Sequence, residues 1–518
     1  MAEFFAVMPG WAIALLLVAL AAALFFEAIN GFHDTSNAVA MTIYCRALSP
    51  MTAVALSAAG NFAGILAGGL GVAFAILHIL PVDLLLATDL LQSLILIGAI
   101  LLGAIFWNFT SWWFGIPLSS THSLVGAMLG VGAAHGWLVN GNWLEGVRWS
   151  EAGTIGLSLL VSPLLGLGLA VAGLRLWLAW QPHSPLQAVP QAGSQPPVAA
   201  RWLLVLSALG VSLAHGSNDG QKGVGLIMLV LISIVPAQFA INPHASVAAL
   251  AGTRQAVQQF EAFHAAYPAA LAGLVPPSAG VAAACPVTRA HEWSARLSRT
   301  LEQSPAVWPA RTRQQVRQDL LCLNATVRQM QGQYAWPAES AAQLSRMAGG
   351  LLLLTDYAPR WVMLAVALAL GGGTLVGWRR VVRTVSERIG QQPLSYAQGV
   401  VAQTVGALSI GLASSLAMPV STTHVVTSAV AGTVLARRGA LQPPAPHSPC
   451  PRAPGDSFAE LIGSACRRRE TLCVTYRNER QSIPRKNHHL PGDALSFLYH
   501  FCIRRSAHRP PALARAWS

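Results

Sequence analysis

The chain has 518 residues, of which 53% are hydrophobic and only 10% charged, and its mean hydropathy is +0.49. Soluble domains carry roughly 25% charged residues, so this composition excludes a soluble enzyme and indicates an all-α polytopic membrane protein. The formal charge of +13 suggests nucleic acid until it is located: residues 437–518 hold 14 Arg and Lys against 5 Asp and Glu, and the apolar part is close to neutral, which leaves no case for nucleic acid as a partner.

Crossing a ~30 Å hydrocarbon core takes ~20 apolar residues. Apolar segments recur at about 11–29, 51–80, 90–114, 118–138, 154–180, 202–214, 223–236, 351–377, 397–417 and 425–436. The first has Glu3 where a signal peptide has basic residues, and no small-residue cleavage site follows, so it is expected as a retained helix. Residues 1–180 form a first transmembrane repeat, and the Pro- and Gln-rich segment over 181–201 is a cytoplasmic linker. Residues 202–236 and 350–436 form the second repeat.

The two halves match in detail. "NGFHDTSN" (30–37) and "HGSNDGQK" (215–222) align Gly31 on Gly216 and Asp34 on Asp219, while "GIPLSSTH" (115–122) and "AMPVSTTH" (417–424) share Pro, Ser, Thr and His in register. Asp34 lies 83 residues before Pro117 and Asp219 lies 200 before Pro419; an insertion over 237–349 accounts for nearly all of the difference. Its charged, amphipathic stretches do not suit lipid, so it is expected as a small extramembrane helical subdomain. The basic loop at 377–388 is expected in the cytoplasm, which puts the insertion on the other, periplasmic side. There an oxidising compartment would let Cys285 and Cys322 pair, with two unpaired thiols as the alternative.

Polar residues inside apolar segments identify the candidate site. Both "NGFHDTSN" and "HGSNDGQK" are expected to interrupt a helix, and interrupted helices at matching places in two repeats mark a transporter's midplane site. Asp34 and Asp219 suit cation or proton coupling, with helix capping as the alternative. Ser119, Ser120, Thr121, Ser421, Thr422 and Thr423 follow the two prolines and open new helices, where free N–H groups and hydroxyls favour a tetrahedral oxyanion. Lys222, one of only two lysines against 31 arginines, offers a point charge or snorkels. His122 and His424 suit a proton path or a metal site, or simply hydrogen-bond across the repeats, which is the preferred reading; His33, next to Asp34, suits proton coupling. No His pair has the i, i+4 spacing of a metallohydrolase, and no metal ligand is assigned. Asn61 and Gln403 are single amides that helix–helix bonding explains as well, and Gln221 ranks with them.

These motifs, with "GFHDTSNAVA" and "AHGSNDGQKGVGLIMLVL", resemble the inorganic phosphate transporter (PiT) family, in its bacterial low-affinity branch, from about residue 5 to 436. The resemblance implies two inverted-topology repeats with broken helices, a multi-pass protein of the bacterial inner membrane, and no enzyme activity or cofactor. It further implies import of phosphate as a neutral divalent metal–phosphate complex, driven by protons. It puts Asp34, Asn37, Asn218 and Asp219, with the hydroxyl runs, around phosphate and its coupling ion. Sodium-coupled relatives read "ND.AN" twice; here Asn precedes the aspartate only in the second copy, which favours protons. Sodium-coupled phosphate or sulfate symport, or a nonfunctional remnant, are the alternatives, and a homodimer is compatible with the family. Residues 437–518 depart from the pattern: they contain no apolar span and four of the seven cysteines, as out-of-frame translation of a GC-rich gene near residue 440 would give. A basic tail on anionic lipid is the alternative.

Overall fold

The structure is a computed structural model that describes residues 9–80, 90–191, 195–274, 285–379, 381–382 and 394–440, all within the compact unit Met1–Pro443. Residues 441–518, which hold almost all of the atypical tail, and most of the basic loop at 377–388 lie outside them. Every regular element among the described residues is helical. The main ones are α1 (Gly10–Tyr44), α2 (Pro50–Ala67), α3 (Gly71–Leu77), α4 (Leu90–Trp113), α5 (Ser120–Asn140), α6 (Trp149–Trp180), α7 (Val198–Ile234), α8 (Val247–Ala266), α9 (Ala290–Thr300), α10 (Ala310–Gln333), α11 (Ala338–Leu352), α12 (Arg360–Val376), α13 (Tyr396–Ser415) and α14 (Thr422–Ala440). By length and composition α1, α2, α4, α5, α6 and α7 can cross a membrane, and α12 is a shorter apolar helix. This is a multi-pass membrane protein.

One expectation is overturned. The motifs at 30–37 and 215–222 do not interrupt their helices, because α1 and α7 run unbroken through them for 35 and 37 residues. Neither contains an internal proline, and their hydroxyls bond back within the helix: Thr35 to the Gly31 carbonyl and Ser212 to that of Ala208. Polarity alone does not open a helix where a freed backbone group has no water. The breaks fall at the proline motifs, between α4 and α5 and between α13 and α14, and at the Gly68–Leu70 turn between α2 and α3. Gly115 takes φ +65° and Ala417 φ +56°, so both proline loops turn through the left-handed region at corresponding places.

The glycines of the two aspartate motifs serve helix crossing. A Cβ on Gly31 would collide with the Leu370 carbonyl oxygen, and one on Gly216 with that of Asn61. The repeats thereby pack crosswise: α12 of the second lies on α1 of the first, and α2 of the first lies on α7 of the second. The same exchange would pair α6 and its counterpart with the two proline-loop helices; among the described residues the half seen is that of α6. Helix α6 packs along α14, where a Cβ on Gly432 would meet the Leu167 carbonyl oxygen. Gly130, at the aligned position of α5, has no described atom within 4 Å of a Cβ, and neither has Gly126.

The insertion forms a cluster of α8 to α11 with its own core, which includes Phe260, Trp293, Leu320 and Met347. A disulfide joins Cys285 to Cys322 with a Cα–Cα distance of 5.2 Å. Its boundaries differ slightly from the sequence reading: α11 continues to Leu352, and α7 already begins at Val198, inside the expected linker. Arg328 of α10 pairs with Glu151 of α6 at 3.1 Å, and His78 at the end of α3 meets Asp356 at 3.8 Å.

Candidate functional site

Helices α1 and α7 cross where Asp34 and Asp219 face each other, and the N-termini of α5 and α14 close over them from the proline loops. Asp34 Oδ1 accepts from Thr423 at 2.7 Å and from Asn37 at 3.0 Å, and its Oδ2 accepts from Ser120 at 3.5 Å. Asp219 Oδ2 accepts from Lys222 Nζ at 2.6 Å and more weakly from Ser120 at 3.4 Å and Thr422 at 3.5 Å. Both aspartates are buried, at 3% and 0% exposure. A buried carboxylate needs donors or a counter-charge, and here four helices supply them.

The loops are tied to each other across the pseudo-symmetry. Thr121 donates to the Val420 carbonyl at 2.9 Å, and Thr423 donates to that of Leu118 at 3.4 Å. Asn218 holds the second loop from below, donating to the Met418 carbonyl at 3.1 Å and accepting from the Val420 N–H at 3.4 Å. Ser119 and Ser421 are helix caps, accepting from the His122 and His424 N–H groups at 3.3 and 3.2 Å. The other four hydroxyls point into the site or across it.

Lys222 does not snorkel. Its side chain is fully buried, and besides Asp219 it donates to Thr121 at 2.6 Å and Ser120 at 3.3 Å. The lysine thus holds a carboxylate and the hydroxyls of α5 in one cluster. Several lower-ranked residues serve structure instead. Gln221 caps α3 by accepting from the Val72 N–H at 2.8 Å, and Gln403 donates to the Ala38 carbonyl at 2.7 Å. His33 turns away toward Ser111, 3.1 Å distant, and the His122 and His424 rings lie against each other with centroids 4.9 Å apart.

The sequence reading missed His215. Its Nε2 lies 3.5 Å from Asp34 Oδ2 and 3.6 Å from Asp219 Oδ2, and the three side chains offer ligand atoms within 4.8 Å of one another. The tautomer follows from the bonds behind it. The Thr374 hydroxyl donates to the Leu370 carbonyl, so it accepts from Asn61 Nδ2 at 3.0 Å; Asn61 Oδ1 then accepts from His215 Nδ1–H at 2.9 Å. That leaves Nε2 aimed between two carboxylates, an arrangement suited to a cation between the three or to an imidazolium. Where the reading assigned no metal ligand, the structure gathers a set fit for one. The signal was present: His215 stands four residues before Asp219, on one face of a continuous helix.

The family profile described as "Phosphate transporter family" matches residues 30–445. The chain is 41% identical to the low-affinity inorganic phosphate transporter PitB of Escherichia coli K12 over 452 residues, covering 83% of this chain and 91% of that protein. It is 40% identical to PitA of the same strain over 458 residues, with the same coverage of 83% and 91%. A relative in Buchnera aphidicola is 36% identical over 438 residues, or 81% of this chain and 89% of the relative. A solved sodium-dependent phosphate transporter aligns with TM-score 0.45 and 21% identity, over 83% of this chain and 91% of the other. The chain is a member of the phosphate transporter family.

Proposed function

We propose that the chain imports inorganic phosphate across the bacterial inner membrane as a complex with a divalent cation, driven by the proton gradient. The observation that carries this reading is the juxtaposition of His215, Asp34 and Asp219 with the hydroxyl-bearing N-termini of α5 and α14. The first group suits the cation, and the free N–H groups and hydroxyls suit a phosphate oxyanion beside it. Lys222 releases Ser120 and Thr121 to the oxyanion and supplies a positive charge to it. The insertion then faces the periplasm, consistent with its disulfide.

Uptake of labelled phosphate into proteoliposomes tests this. Uptake should require an inward proton gradient, collapse with a protonophore, depend on magnesium or another divalent ion and ignore sodium. Competition by sulfate at comparable concentration would turn the reading toward a sulfate carrier. Uptake driven by a sodium gradient at equal pH would replace the coupling ion.

A further inference from the structure

Glu27 is a buried carboxylate that the cargo site does not use. It sits on α1 seven residues before Asp34, on the same helix face and about 10 Å away along the axis. It is 0% exposed. Among the described residues Asn30 is its one donor, at 3.4 Å to Oε2, and Oε1 has no hydrogen-bond partner. The side chain lies against the backbone of α7 at Gly223, where a Cβ would collide with its Cγ. This glycine follows Lys222 directly and gives the carboxyl group its room.

The charged groups that act on Glu27 are Lys222 and Asp219 from α7 and Asp34 from its own helix. Helices α2, α3 and α4 contain no charged residue, and α12 has only Arg360 at its first position. The cluster therefore sets three carboxylates against one ammonium, with the His215 imidazole between Asp34 and Asp219, and Lys222 donates to Asp219, Ser120 and Thr121 with none of these bonds reaching Glu27. An ionised carboxylate in such surroundings is costly unless it gains donors or a proton. The duplication does not repeat this group: the aligned position in α7 is Ser212, which bonds to Ser57 at 3.0 Å. A single unmatched carboxylate beside a symmetric cargo site is suited to a role the cargo site does not fill.

We propose that Glu27 is the group that carries the coupling proton, an assignment that rests on the proton-driven phosphate import proposed above. Glu27 takes one proton from the outer side when cargo enters. It releases that proton to the cytoplasm when Lys222 turns from Asp219 toward it as the cargo leaves. Asp34, His215 and Asp219 remain dedicated to the cation.

The test uses the full chain in proteoliposomes, with labelled phosphate and magnesium and an entrapped pH dye. Wild type is measured first; phosphate entry without acidification of the lumen overturns the proton-driven reading itself, and with it this assignment. With coupling present, Glu27→Gln should lower accumulation against a gradient at least tenfold. It should still exchange internal for external phosphate at a rate near wild type that no longer varies with pH. Glu27→Asp should recover part of the accumulation. Wild-type accumulation by Glu27→Gln overturns the assignment alone. So does loss of exchange in a variant that elutes as a folded protein, since Glu27 would then belong to cargo binding or to the fold.

Discussion

Thr121 donates a hydrogen bond to the carbonyl oxygen of Val420 at 2.9 Å. Its counterpart in the other repeat, Thr423, bonds to Leu118 at 3.4 Å. Each proline loop is thus fastened by the first turn of the opposite repeat's helix. The two loops form one unit, and both aspartates beneath it share the same roof: Ser120 reaches Asp34 and Asp219 alike. Movement of either loop must disturb both carboxylates.

Asp34→Asn and Asp219→Asn should each insert and fold yet lose accumulation against a gradient, since a neutral amide binds a divalent cation more weakly than a carboxylate and does not balance its charge. Capping would predict no effect, because Asn caps about as well as Asp. Accumulation assays corrected for membrane abundance decide this; full activity in either variant would make that aspartate structural.

Lys222→Met should destabilise more than Asp219→Asn does. It strands a buried carboxylate, at a cost of about 3–5 kcal/mol, and removes the donor from which Thr121 and Ser120 accept. The double variant Lys222→Met/Asp219→Asn should recover most of the loss, because both charges leave together. Thermal unfolding in detergent measures it, and additive losses in the double variant would refute the pairing.

Gly31→Ala and Gly216→Ala place a methyl group against the carbonyl oxygens of Leu370 and Asn61. Backbone cannot yield as a side-chain tip can, so each should cost about 1–3 kcal/mol. Gly126→Ala, with nothing within 4 Å, should be neutral or stabilising by about 0.5–1 kcal/mol. Helix interruption at the motifs would give a different ranking, in which alanine straightens the chain at Gly31 and Gly216 without a clash.

These glycines also explain how far the sequence could be read. The paired motifs put Asp34, Asp219, Ser120, Thr121, Thr422 and Thr423 in one place because their register repeats along the chain. The same polarity suggested a break where none exists, since composition does not distinguish a helix that opens from one that packs closely on a neighbour. That error hid His215, whose relation to Asp219 is visible only on an unbroken helix. Glu27 was missed for another reason: it falls outside the duplicated residues, and only the crossing at Gly223 places it near Lys222.

Asp356 lies between α11 and α12, outside the apolar helices. Burial pushes its carboxyl up to about 7, against the opposing pull of Arg317 and a bond from Thr355. The fold therefore holds this proton more tightly than the unfolded chain does, and stability should fall as pH rises from about 4 to about 7 and then level off. Asp356→Asn should flatten that slope and raise the melting temperature at pH 8. An unchanged slope between pH 5 and 8 would mean that another group controls it.

Gly130 and Gly432 occupy aligned positions on α5 and α14 and meet different surroundings. Gly432→Val drives a branched side chain into the Leu167 carbonyl of α6 and should cost several kcal/mol, on the order of other overpacked helix contacts. Gly130→Val meets no described atom and should leave the melting temperature within a few degrees of wild type. Fusing an apolar helix with the sequence of α6 after Ala440 should change this, because the exchange between repeats would bring that helix onto α5. In the fused chain Gly130→Val should become destabilising, and phosphate uptake should rise above that of the original. If Gly130→Val already destabilises the original chain, the face of α5 is covered by residues beyond Ala440 or by a second copy.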